Sequence, residues 1–152
     1  MRERKPDPER WSVAEVLEHL AIIETRIAGL LNKHVTAARA SGVGPDPETS
    51  SVVASYPNPQ AVIDRTNRIS APAPVQPTGT LDATAGIQAL VQAHAAMMSS
   101  LQNANGVCLT NIMQTHPALG PLNMYHYVVA LGLHDQRHAA QIREIGQTLA
   151  TP

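Results

Sequence analysis

Phenylalanine is absent from this chain, and its aromatic residues are confined to Trp11, Tyr56, Tyr125 and Tyr127. A core must therefore be built from Leu, Ile, Val, Ala and Met. A single cysteine, Cys108, excludes any intramolecular disulfide. Flanked by Val107 and Leu109, with no Lys or Arg near it in sequence, it reads as a small buried hydrophobe rather than a reactive thiol. No apolar run approaches the roughly 18 residues of a membrane span, and no signal-peptide pattern opens the chain. A cytoplasmic protein with no membrane partner is the expectation. Charge of one sign is lacking too, since 11 Lys and Arg face 12 Asp and Glu. The one basic cluster, Arg2, Arg4 and Lys5, is interrupted by Glu3. Phosphate backbones need clustered cations, so nucleic acid is not an expected partner.

What is present is a globular composition, 43% apolar in 152 residues, enough for one domain over residues 1–152. Ser12 and Glu15 have the spacing of a capping box, and Trp11 and Val16 that of a hydrophobic staple. A helix is expected to start there and to bury Val16, Leu20, Ile23, Ile27, Leu30 and Leu31, stopping at Gly42. Residues 42 to 80 hold seven of the twelve prolines, which marks a long connection rather than a helix or strand. Asn58 and Pro59 can open one short helix in it, with Val62, Ile63 and Ile69 inward. A second long helix is expected over about 82–104, capped by Thr80 or Asp82, with Ile87, Leu90, Val91, Met97, Met98 and Leu101 as its buried line. Asn105-Gly106 ends it. After an irregular stretch, a third runs from about 124 to 149 behind Asn123 as cap. No convincing strand is read. The fold class is all-α.

Seven histidines remain to be sorted. His134 and His138, four residues apart on one helix, project from the same face, and that face is the apolar stripe. His19 lies between Val16 and Ile23 and also points inward. Three inward imidazoles on two helices can surround one ion at about 2.0–2.1 Å. Three separate core histidines, each with its own hydrogen bond, would fit the same pattern. A third inward histidine tips the balance toward a shared ion, because inward histidines are individually uncommon. His94 lies on the stripe of the second helix and is expected to pack there, although it could approach the site from the opposite wall. His116, before a proline, is expected in a turn. His34 and His126 fall near helix ends, where solvent or dipole roles are ordinary. His134-Asp135-Gln136-Arg137-His138 is not a metalloprotease signature, which needs Glu directly after the first histidine.

The segments Trp11-Ser12-Val13-Ala14-Glu15-Val16-Leu17-Glu18-His19-Leu20, Pro77-Thr78-Gly79, His116-Pro117-Ala118-Leu119-Gly120-Pro121-Leu122 and His134-Asp135-Gln136-Arg137-His138-Ala139-Ala140-Gln141-Ile142 resemble the DinB-like (YfiT-like) superfamily in residues, order and separation. The resemblance implies an up-down four-helix bundle. It also implies a divalent metal ion (Zn, Ni or Fe) on His19, His134 and His138, with one open coordination position. It implies a thiol S-transferase using a low-molecular-weight thiol, or a hydrolase, acting on a small molecule. The alternative is a non-catalytic metal-binding or stress-related bundle. No catalytic residue transfers by motif; Glu15 and Gln141 are candidates for a supporting acid or base. The family usually has another long helix before the tryptophan segment, and here only ten residues precede Trp11, so either the chain start is truncated or another element covers that face. A bundle short of one helix exposes an apolar groove that residues 42 to 80 or a second copy can cover, and a homodimer is the expectation.

Overall fold

Ser12 accepts a hydrogen bond from the Glu15 N–H at 3.2 Å, and the Glu15 carboxylate accepts from the Ser12 N–H at 2.8 Å. This reciprocal cap starts α1, Val13–Ala40. The computed structural model describes residues 2–66 and 68–150. Its other helices are α2 (Pro59–Ile63), α3 (Ala83–Asn103) and α4 (Met124–Ala150), with a short 3-10 turn at Ala73–Val75. Asn58 caps α2, Asp82 caps α3, and the Asn123 side chain accepts from His126 N–H at the head of α4. Gly42 and Gly106, just beyond α1 and α3, take positive φ angles of 72° and 77°, which cost glycine little. The architecture is all-α apart from one small hairpin. No described helix is long and apolar enough to cross a membrane.

α1 is the central helix and packs on both α3 and α4, whereas α3 and α4 stand apart with no Cα of one within 8 Å of the other. Leu31 and Met124 are fully buried in the main core beside Met97 and Leu131, and Val16 and Ile145 close the end near Trp11. Tyr56 and Val62 of the proline-rich connection pack on Leu122 and Ala130, tying that segment to α4.

Four expectations are corrected. The α3 line Ile87, Val91 and Met98 is exposed, by 43%, 63% and 46%, while Ala83, Gly86, Ala93, Met97 and Ser100 face inward. The reason is close approach: a Cβ on Gly86 would meet the Leu17 Cβ at 3.1 Å and the Ala14 carbonyl oxygen at 3.5 Å. Only a small side chain fits at this closest approach, and Ile87, Val91 and Met98 are turned out. Ile69 is likewise exposed rather than inward. Strands do exist: β1 (Met113–His116) pairs antiparallel with β2 (Gly120–Asn123), His116 opposite Gly120. Each is four residues long and β2 contains Pro121, so no alternation could declare them. Cys108 is half-buried and donates to Asp46 Oδ2 at 3.1 Å, a polar setting instead of an apolar one.

Candidate metal centre

His19 lies in the second turn of α1, and His134 and His138 lie one turn apart on α4, facing it. The helical spacing that put each imidazole on a core stripe thus brings all three to one point. His134 Nε2 is 3.3 Å from His19 Nε2 and 3.1 Å from His138 Nε2. All three ligand atoms lie within 4.8 Å of one another, so the group could hold a metal ion. Ligands about 2.0–2.1 Å from a tetrahedral ion are separated by about 3.3 Å, which is close to these spacings.

Two of the rings are oriented by what their other nitrogen does. His19 Nδ1 donates to the Val75 carbonyl oxygen at 2.6 Å. His138 Nδ1 donates to Gln141 Oε1 at 2.8 Å. Each therefore carries its proton on Nδ1 and turns an Nε2 lone pair toward the centre. The strap that supplies Val75 is itself clamped by Glu18, a buried carboxylate accepting from the Thr78 and Gly79 N–H groups at 3.0 Å each. Gly79 adopts φ +73° there. Glu18 and His19, adjacent in sequence, thus fix the loop and the ligand together.

Burial, with the neighbouring imidazoles adding to it, pushes His134 down to about 3. Burial also takes His138 down to about 4 and lowers His19, whose bond to Val75 opposes the shift. All three are neutral near pH 7, the state that binds a cation. Trp11 covers one flank, its ring centroid 4.8 Å from that of His19 and 6.4 Å from that of His138. Imidazole donors suit Zn, Ni, Fe or Cu alike.

The other histidines are elsewhere. The His94 side chain is 63% exposed and pairs with Glu24 at 3.3 Å. His116 Nδ1 accepts from the Ala118 and Leu119 N–H groups at 3.1 and 3.2 Å, the turn role expected of it. His34 meets Gln114 at 2.8 Å, and His126 meets Ser55 at 3.1 Å. Glu15 is committed to its cap and to Lys5 at 2.8 Å. The Trp11 flank, the Val75 carbonyl and the Glu18 clamp were not read from sequence as parts of the site. The adjacency of Glu18 to His19, and the Pro77-Thr78-Gly79 strap, were the available signals.

Comparison with known proteins gives the chain a family. The uncharacterized protein YuaE of Bacillus subtilis (strain 168) is 24% identical, in a match spanning 96% of this chain and 83% of that protein. No solved structure matches. The family profile described as DinB superfamily matches residues 2–142, covering α1, the strap, the hairpin and all three histidines, and the chain belongs to that superfamily.

Proposed function

We propose that this protein binds one divalent metal ion through Nε2 of His19, His134 and His138 and presents an open coordination position to a small molecule. The observation that carries the reading is the spacing of 3.1 and 3.3 Å between nitrogens, two of which have lone pairs free toward the centre. A bound ion would supply Lewis acidity and lower the pKa of a coordinated thiol or water. The chain's own residues hold the rings: Val75 orients His19, Gln141 orients His138, and Trp11 shields one flank from water. Thiol S-transfer or hydrolysis is the reaction class that the family resemblance supports.

A second reading, metal binding without catalysis, is favoured by one specific observation. The two candidate supporting groups are occupied, Glu15 by its cap and Lys5, and Gln141 by His138. Elemental analysis of protein purified without a nickel column tests the shared core of both readings. About one equivalent of a divalent transition metal per chain is expected, and protein that neither carries nor takes up such an ion overturns it. Turnover of thiol-plus-electrophile or ester substrates by the loaded protein would then separate enzyme from binder.

A further inference from the structure

His134 is the one ring of the three whose Nδ1 has no partner. Among the described residues, the buried side-chain atoms without a hydrogen-bond partner are His134 Nδ1, Asp135 Oδ1 and Glu24 Oε2. They are neighbours. Asp135 Oδ1 is 4.0 Å from His134 Nδ1, and the Glu24 carboxylate acts electrostatically on Asp135. Glu24, 3% exposed on α1, turns both oxygens to His94 Nδ1 at 3.3 Å. A line of polar groups therefore runs from exposed His94 on α3, through buried Glu24 on α1, to Asp135 and His134 on α4.

In the metal-free protein, His134 Nε2 faces two nitrogens that already offer lone pairs, so a proton there can be shared with His19 and His138. Binding of an ion requires that lone pair, and the ring proton must then sit on Nδ1. A metal-bound histidine almost always gives that other N–H to a carboxylate, a carbonyl or water. His19 and His138 already follow this rule. We propose that Asp135 is the positioning residue for His134. It accepts the Nδ1–H when an ion binds and so completes the third ligand. The distance to close is about 1 Å, within reach of a side-chain adjustment.

The inference rests on the three-histidine reading, and zinc titration of the full chain separates the two. Wild type is expected to bind zinc. Asp135→Ala is expected to bind it about 10- to 100-fold more weakly. Asp135→Asn, isosteric and still bearing an acceptor oxygen, should fall between, which also guards against a variant that fails to fold. Proton NMR of the zinc form supplies a readout that mere structural support would not move. The His134 Nδ1–H signal should shift or broaden in Asp135→Ala, while those of His19 and His138 stay in place. Wild-type affinity in Asp135→Ala, or an unmoved His134 signal, overturns the positioning role and leaves the metal site standing. Wild type that binds no zinc overturns both.

Discussion

His138 is 8% exposed and bonded to Gln141, so truncating it removes one of the three converging imidazoles while leaving the helix around it intact. His138→Ala should lower metal affinity by more than the roughly 10- to 100-fold that loss of an orienting partner costs. Its far-UV circular dichroism should match wild type, and a variant that retains wild-type metal affinity would remove His138 from the ligand set. Acid tests the same residues. An ordinary histidine titrates near 6.5, whereas burial holds His138 at about 4 and His134 at about 3. Both stay neutral through pH 5, so metal should be retained from about pH 7 to 5 and released below, as protons compete. For the metal-free protein the sign is fixed by which state binds more protons. The unfolded chain protonates these histidines below about 6.5, and the fold resists until about 4. Stability should therefore decline as pH falls through that window. Melting curves of metal-free protein at pH 7.5 and 5 check this, and equal midpoints with wild-type and His138→Ala protein would contradict it. The convergence of the three histidines was legible because helical periodicity is local. Asp135 and Glu24 were not, because their meeting depends on how α1 and α4 dock.

At the level of elements, the starts of the helices are written in short-range chemistry. Ser12 with Glu15, Asn58 with Pro59, Asp82 and Asn123 all cap where their side chains allow it. Ser12→Ala should cost about 1 kcal/mol, a typical N-cap loss, read as a lower denaturation midpoint at unchanged slope. The inward face of α3 was not legible. Hydrophobicity nominates Ile87 and Val91, but α1 and α3 approach most closely where Gly86 meets Ala14 and Leu17, and that position admits only a small residue. Gly86→Leu should therefore destabilise by about 1–3 kcal/mol through overpacking, despite leucine's better helix propensity. A Gly86→Leu protein as stable as wild type would show that the interface yields. The hairpin escaped for a different reason: its register is set by a turn in which the His116 ring collects two N–H groups, a contact no strand pattern encodes.

On the scale of the whole molecule, α1 is covered on two sides and the space between α3 and α4 is not filled. A cleft of about 1040 Å³ lies there, walled by Met98, Leu101, Val128, Leu133 and Val52, with Asp46 the only charged lining residue among those described. Exposed Ile87 and Val91 extend the same α3 face. The proline-rich connection reaches the rim through Val52 and Val53 but leaves Val53 67% exposed, so it does not close the opening. A 21-residue helix is about 30 Å long and 10 Å wide, so the α3 face alone offers roughly 300 Å². Together with the cleft walls, this exposed apolar face is the kind of surface that marks an interaction site. A second copy is the occupant expected for so weakly charged a face, because a two-fold axis sets the same apolar surface against itself. Sedimentation equilibrium at micromolar concentration should report a dimer. Val91→Asp, which buries a charge at the centre of that contact, should shift it to monomer. A wild-type chain that sediments as a monomer at every concentration would overturn the dimer, and the three histidines, held by α1 and α4 within one chain, would be unaffected.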